Sequence, residues 1–220
     1  MIESATGLIL RTRSLTETSL IVHWLTPDFG RIATIARGAH RPKSPFLGKL
    51  DLFYLADFSF SRSRRSDLHI LREVSLRETH SALRLNVLLL HQAAYATACV
   101  EQATETETPL SAIYDLTLGF FRHLCEQPAK SQTIFTFELK LLHELGLGPD
   151  LGKTRLSPGA KKIIQILVQG RWSACARLKL TDAQGIELRE FLHSFLIFHL
   201  GRLPKGRAGA LLNENQFTQG

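Results

Sequence analysis

The spacing of apolar residues along the chain changes once, near residue 79. Before that point, runs rich in β-branched and aromatic residues alternate with turn residues, and apolar side chains recur at every second position. This pattern predicts five strands, at residues 7–10, 19–25, 31–37, 50–60 and 67–74. Five short antiparallel strands in fewer than 80 residues indicate a small closed barrel. An OB-fold is the commonest barrel of that size, and strand count alone leaves an SH3-like barrel open.

After residue 79 the apolar spacing becomes helical. Apolar residues recur at intervals of three and four in the segments 83–98, 110–124 and 134–145, and shorter patterns predict helices at 163–168 and 188–196. The pair Thr181-Asp182 is a suitable N-cap for the last of them. We therefore predict a two-domain α+β protein, with an OB-fold at 1–78 and an all-α domain at 79–203. Residues 204–220, rich in Gly, Asn and Gln, predict a flexible basic and polar tail.

The composition is that of an ordinary packed protein. Of 220 residues, 44% are hydrophobic and 21% are charged, so the chain can fold without metal or disulfide. The cysteines (Cys99, Cys125 and Cys175) are far apart and form no C-x-x-C pair, which argues against a disulfide framework and a four-thiolate zinc site. No secretory signal and no apolar run of bilayer length is present. A cytoplasmic protein without membrane contact is expected.

The distribution of charge points to a polyanionic partner. The net charge is +7, yet residues 29–50 carry +5 and residues 151–181 carry +7 without a single acidic residue, while the remainder sums to −5. Segregated positive charge of this kind is typical of proteins that bind nucleic acid.

The candidate phosphate contacts lie in these basic segments and in the loop between the fourth and fifth strands. In an OB-fold, loops beside the sheet face flank the groove where single strands lie. Trp24 and Phe29 are expected in the core. A solvated basic surface that binds nothing is the alternative, and it is favoured for the two lysines of the helical domain. The candidates are Arg31, Arg37, Arg41, Lys43, Lys49, Arg62, Arg64, Arg65, Lys161 and Lys162.

Catalytic motifs are missing from the sequence. The glycines of residues 146–154 do not have P-loop spacing, and His143-Glu144 lacks the second histidine of a zinc motif, because that position is Leu147. We expect no catalytic residue, no metal, no cofactor and no enzymatic activity. Three alternatives stay open at this point: an OB-fold that binds RNA, a scaffold that binds only protein, and a hydrolase or nuclease whose residues converge only in three dimensions.

Several segments, in their order and spacing, resemble the bacterial recombination mediator family RecO. The resemblance covers nearly the whole chain and is densest over the first 50 residues. It is carried by GLILRTR (7–13), ETSLIV (17–22), Thr26 with Gly30-Arg31, ARGAHRPKS (36–44), LHILRE (68–73), FELKLLHELG (137–146) and GRLPKGR (201–207).

The resemblance implies an OB-fold followed by a helical domain, in a nucleoid-associated protein of DNA repair by the RecF pathway. It implies binding to single- and double-stranded DNA, annealing of complementary strands, and joint action with RecR in loading RecA onto DNA coated by single-strand-binding protein. The acidic, apolar C-terminal tail of that protein would need a basic-rimmed hydrophobic groove, for which only the helical domain has suitable residues. Many family members also carry two C-x-x-C zinc motifs, but residues 148–155 contain no cysteine, so zinc is not carried over.

Overall fold

Five strands form a closed barrel in the computed structural model, which describes residues 1–212. The strands are β1 (Ile2–Ser14), β2 (Leu20–Thr26), β3 (Gly30–Ala36), β4 (Leu55–Ser61) and β5 (Leu68–Glu78). Their order around the barrel is β1-β2-β3-β5-β4, and β4 pairs back onto β1. All neighbours are antiparallel except β3 and β5, which run parallel. This is the order of an OB-fold, so the predicted fold is confirmed.

The inside of the barrel is aromatic. Trp24 is fully buried and stacks on Phe58 at a ring distance of 4.0 Å, and its indole Nε1 donates a hydrogen bond of 2.8 Å to Thr34 Oγ1. Phe29 is half-buried and packs edge-on against Phe60 at 5.6 Å. Both residues therefore have the core role predicted for them, and the buried indole N–H has the acceptor it needs.

The fourth strand begins five residues later than predicted. Phe53 has φ = 67°, a left-handed conformation that interrupts the alternation expected across residues 50–60. Its backbone N–H nevertheless donates to Ile9 O at 2.8 Å, so this turn continues the contact with β1. The aromatic side chains alternate correctly, but the backbone becomes a strand only at Leu55.

Helices predominate between residues 87 and 210. A 3₁₀ turn, Ser81–Arg84, precedes the helices, which are α1 (Val87–Ala103), α2 (Ser111–Glu126), α3 (Ser131–Glu144), α4 (Pro158–Gln169), α5 (Trp172–Arg177), α6 (Asp182–Leu200) and α7 (Arg207–Ala210). The longest of these, α6, begins with the predicted cap: Thr181 and Gln184 form a reciprocal capping box. Helices α5 and α7 were not predicted, because six and four residues are too few to show a period.

The chain divides into two compact units, and their boundary differs from the predicted one. The barrel unit contains residues 1–81 together with 104–118, and the helical unit contains residues 82–103 and, within the described part of the chain, 119–212. The predicted boundary at 78 is close to residue 81, where the chain first passes from the barrel unit to the helical unit. Residues 104–118, however, belong to the barrel unit again. They do so because Glu107 N donates to Arg31 O at 2.9 Å and Arg31 donates to Thr104.

The predicted flexible tail is wrong for residues 204–212. Pro204, Arg207, Ala210 and Leu211 are buried, and Arg207 forms an ion pair with the buried Glu138 of helix α3. The small residues of this segment permit close packing rather than flexibility: a Cβ on Gly209 would lie 3.2 Å from the His91 ring. The rest of the predicted tail, residues 213–220, lies outside the described residues.

Candidate nucleic-acid interface

The outer surface of β1, β2 and β3 carries three arginines around one histidine. Val22 and Trp24 point into the barrel, so the residue between them, His23, points outward. In the pairing register Arg11 lies beside His23, and Arg13 lies beside Ile21 one row further along. Cross-strand neighbours share one side of a sheet. We call this surface, with Arg11, Arg13 and Arg31 around His23, the cationic face.

The pKa of His23 reports the electrostatics of the cationic face. Burial, and then the charges of Arg11, Arg13 and Arg31, lower the pKa of His23 from 6.5 to about 4. The ring is therefore neutral at pH 7, and it lies in a positive field. Its Nε2 is buried and has no hydrogen-bond partner among residues 1–212. The positive field that disfavours a proton on His23 would attract an anion to this face.

A groove of about 410 Å³ borders the cationic face at the end of β3. The predicted candidates Arg37 and Arg41 line it and are exposed. Gly38 has φ = 66°, and a Cβ there would lie 3.2 Å from Arg41 Cδ, so the glycine leaves room for the arginine to cross the turn. The remaining lining residues are Leu15, Thr16, Thr18, Ser19, Ile35 and Gly38. Two guanidinium groups beside hydroxyl groups form a surface suited to phosphate.

The loop after β3 also contains the two predicted lysines, Lys43 and Lys49, which differ in exposure and in hydrogen bonding. Lys43 is exposed, whereas Lys49 is half-buried and donates from Nζ to Val74 O at 3.3 Å. Phe46 between them is buried in the barrel core, so it offers no stacking surface for a base. Of this loop, Lys43 has the exposure that a phosphate contact requires, while Lys49 has a structural partner.

The loop between β4 and β5 lies at the opposite end of β3. Arg64 and Arg65 are exposed there. Arg62 is engaged with two carboxylates, at 3.5 Å from Glu3 and 3.6 Å from Glu107. The predicted candidates of the barrel thus flank the cationic face at both ends, but Arg62 is held in ion pairs.

Arg31 differs from its neighbours because its guanidinium is tied to the chain. Its Nε donates to Thr104 Oγ1 at 2.8 Å, and the side chain is half-buried. The residue holds segment 104–118 on the barrel and adds its charge to the cationic face. A direct phosphate contact by Arg31 stays a prediction.

The last two candidates belong to the helical unit. Lys161 is half-buried and Lys162 is exposed, both in the first turns of α4, whose N-cap is Ser157. The backbone N–H of Lys161 donates to Ser157 O at 3.0 Å. A second anion site at these lysines stays a prediction.

Two arginines of the cationic face were missed by sequence reasoning. Arg11 and Arg13 lie beyond the predicted end of the first strand at residue 10, but β1 continues to Ser14. Arginines two positions apart in a strand point to the same side, so the sequence indicates that the two belong together. Simple alternation would place them on the side of the core residue Ile9, but the pairing register shifts between Ile9 and Arg11 and turns both arginines to the outer surface.

A second groove on the barrel, away from the cationic face, contains acidic residues. A groove of about 430 Å³ on β1, β4 and β5 is lined by Asp28, Asp57 and Glu73 among small polar residues. Hydrogen bonds from Thr6 and Arg77 lower the pKa of Asp57 against a desolvation effect, so this carboxylate is ionised. Negative charge of this kind is unfavourable for an anionic ligand.

The residues of this chain do not fit the zinc site of the family that the sequence resembles. Within residues 1–212, no group of three or more His, Cys, Asp or Glu side chains is placed to hold a metal ion. No helix in the described part of the chain combines the length and apolarity of a membrane span.

Comparison with known proteins agrees with the resemblance of the sequence segments. Residues 1–80 match the family model described as Recombination protein O N terminal, and residues 89–154 match Recombination protein O C terminal. Proteins named DNA repair protein RecO are similar along most of the chain. That of Exiguobacterium sibiricum is 28% identical over 207 residues, which cover 92% of this chain and 82% of that protein.

Two further relatives have the same name. The protein of Listeria monocytogenes is 28% identical over 205 residues, covering 91% of this chain and 80% of its own length. That of Rhodopirellula baltica is 31% identical over 143 residues, covering 65% of this chain and 53% of its own length. With both domains matched in order on an OB-fold and a helical unit, the chain belongs to the RecO family of DNA repair and recombination proteins.

Proposed function

We propose that this protein is a non-enzymatic recombination mediator that binds single- and double-stranded DNA without sequence preference. The observation that carries the proposal is the cationic face, on which Arg11, Arg13 and Arg31 surround His23 in the strand register and, after burial, add to the lowering of its pKa. Contacts between cations and phosphates are independent of base sequence, because every nucleotide presents the same charge. Binding of this kind requires no catalytic residue.

Annealing follows from the same electrostatics. Two complementary strands repel each other through their phosphates, and a protein that neutralises both backbones lowers this barrier. The cationic face with Arg37 and Arg41 supplies one surface, and Lys161 and Lys162 of the helical unit supply the other. In the cell we place this activity in the cytoplasm, at the nucleoid, with RecR as partner and RecA loading as the outcome.

The helical unit offers apolar area for the acidic tail of single-strand-binding protein. On α6, Phe191 stacks on Phe195 at 5.2 Å, and Phe198 is 81% exposed. Exposed aromatic side chains of this kind mark protein-binding surfaces. Phe198→Ala should weaken binding of the tail peptide at least about fivefold, or about 1 kcal/mol, the threshold above which an interface residue contributes substantially, while Leu85→Ala, another exposed apolar residue of this unit, should not. Equal effects of the two variants would remove α6 as the docking site.

The function is tested by fluorescence anisotropy with a mixed-sequence oligonucleotide, its duplex, and RNA of the same sequence, each across a salt series. We expect binding to both DNA forms that weakens steeply with salt. Replacing Arg37, Arg41 and Lys43 with Ala should reduce the log–log salt slope by up to about three. Preference for RNA would favour recognition of 2′-hydroxyl groups instead. No binding at low salt would contradict the proposal, and cleavage of labelled DNA with Mg²⁺ would contradict its non-enzymatic part.

A further inference from the structure

Residues 104–108, which we call the strap, lie against the start of β3 in the barrel unit. Thr106 forms a parallel bridge with Arg31, and Glu107 N donates to Arg31 O at 2.9 Å. Gly30 makes this approach possible: it has φ = 63°, and a Cβ there would lie 1.9 Å from Thr108 O. The strap therefore continues the sheet beside β3, before the β3–β5 pairing begins at Ala33.

The strap places the carboxylate of Glu107 against two side chains that could contact phosphate, Arg62 and His69. Glu107 Oε2 lies 3.6 Å from Arg62 Nη2, and Glu107 Oε1 lies 3.1 Å from His69 Nε2. His69 is 1% exposed. Its Nδ1 accepts from Ser63 N at 3.3 Å, which assigns the ring proton of the neutral form to Nε2. His69 thus presents an N–H towards Glu107, although their alignment falls short of a hydrogen bond.

Both partners of Glu107 are fixed in place without it. Arg62 lies over the Phe29 ring at 5.8 Å and within 3.5 Å of Glu3, and the His69 ring stacks on Phe60 at 5.2 Å. A guanidinium and a ring N–H that converge on one oxygen-bearing group form an anion site. In this structure the anion is the protein's own carboxylate.

Glu107 itself is in a strained conformation. Its φ is 55°, in the left-handed region that residues other than Gly, Asn and Asp rarely adopt. Such strain persists only where surrounding contacts impose it, and it is concentrated at functional and switching segments. Release of the strap would relieve this strain, which lowers the cost of displacing Glu107.

We propose that Arg62 and His69 form a phosphate subsite at the end of the cationic face, and that Glu107 occupies this subsite until DNA displaces the strap. The inference rests on the proposed function, since it assigns DNA phosphate as the competing ligand. Glu107 then competes with DNA phosphate and lowers the affinity of the protein for DNA. Displacement of the strap accompanies DNA binding and can be measured.

The test compares two variants that remove the same charge from the strap. Glu107→Gln removes the ion pair with Arg62, whereas Glu105→Gln changes an exposed residue two positions earlier. In anisotropy titrations with a single-stranded oligonucleotide, Glu107→Gln should bind about two- to fivefold more tightly than the unmodified protein, the range expected for releasing one exposed ion pair. Glu105→Gln should bind within about 1.5-fold, because this variant removes charge but no contact in the subsite. In an Arg62→Ala background, the gain from Glu107→Gln should disappear.

Hydrogen exchange of the unmodified protein gives a second readout, which does not depend on the folding of any variant. Because DNA breaks the hydrogen bond from Glu107 N to Arg31 O, exchange of that amide should accelerate on binding. Equal affinities of Glu107→Gln and Glu105→Gln, or unchanged or slower exchange, would overturn the subsite while leaving DNA binding intact. If neither the unmodified protein nor Glu107→Gln binds DNA, the proposed function and the subsite both fail.

Discussion

Arg207 and Glu138, 69 positions apart, form a bidentate ion pair inside the helical unit. Arg207 Nε lies 2.6 Å from Glu138 Oε1, Nη2 lies 3.0 Å from Oε2, and both side chains are at most 3% exposed. Tyr95 donates to the same carboxylate at 2.5 Å. Although burial alone would lower it, the hydrogen bonds and charge of Glu138 raise the pKa of Arg207. The basic motif GRLPKGR thus ends in a core residue.

This pair predicts a strong and specific stability effect. Arg207→Ala leaves the Glu138 carboxylate buried without its counter-charge, which should lower the free energy of unfolding by about 3–5 kcal/mol. Lys205→Ala, an exposed cation of the same motif, should change it by less than about 0.5 kcal/mol. Urea unfolding followed by circular dichroism measures both. Equal effects would show that the ion pair does not hold the C-terminal segment in place.

A second stability prediction concerns the barrel core. Thr34→Val removes the acceptor of Trp24 Nε1 while keeping the side-chain shape, and should cost about 1–3 kcal/mol because a buried donor is left unsatisfied. Thr34→Ser keeps the hydroxyl group and serves as the control. Tryptophan fluorescence during urea unfolding reports the difference. If Val and Ser variants are equally stable, the hydrogen bond contributes nothing.

The barrel and the main helices could be predicted because their signals are local. Alternation through Trp24, Phe58 and Phe60 identifies strands from the residues of each strand alone, and helical spacing does the same after residue 79. The family resemblance added the DNA repair role, which periodicity alone does not contain. Phe53 shows the limit, since its left-handed turn leaves the apolar pattern unchanged.

Contacts between distant residues explain what sequence reasoning missed. Arg31 looks like a free cation in a basic segment, but its partner Thr104 lies 73 positions away. Arg207 looks like part of a polar tail, because its partner Glu138 is also distant in sequence, 69 positions away. Neither partner is marked by a local motif, so only the folded chain separates these structural cations from exposed ones such as Arg41.

His23 provides a pH-dependent prediction. Its pKa of about 4 in the folded protein is below the unfolded value of 6.5, so the unfolded chain takes up a proton first as the pH falls. The contribution of His23 to stability is complete above pH 6.5 and is lost between pH 6.5 and 4. His23→Gln should therefore flatten the fall in stability from pH 7 to pH 5, measured by urea unfolding. An unchanged pH dependence would contradict the assigned pKa.

The same histidine reports DNA on the cationic face. A phosphate beside Arg11 and Arg13 offsets the positive field and should raise the pKa of His23. Nuclear magnetic resonance titration of the His23 ring, with and without a saturating oligonucleotide, measures this shift. The same titration of Arg11→Ala/Arg13→Ala, which lacks two of the charges that lower this pKa, is the control and should show a smaller shift. Equal shifts in the two proteins would contradict a phosphate contact beside Arg11 and Arg13.

The measurement that tests the central claim most directly is the salt dependence of DNA binding by variants of the two sides of the barrel. Arg11→Ala/Arg13→Ala removes two cations from the cationic face, and Arg72→Ala/Arg77→Ala removes two exposed cations from β5. If DNA lies on the cationic face, the first pair should reduce the log–log salt slope by up to about two, and the second should leave it unchanged. Equal slopes for both pairs would contradict DNA binding at the cationic face.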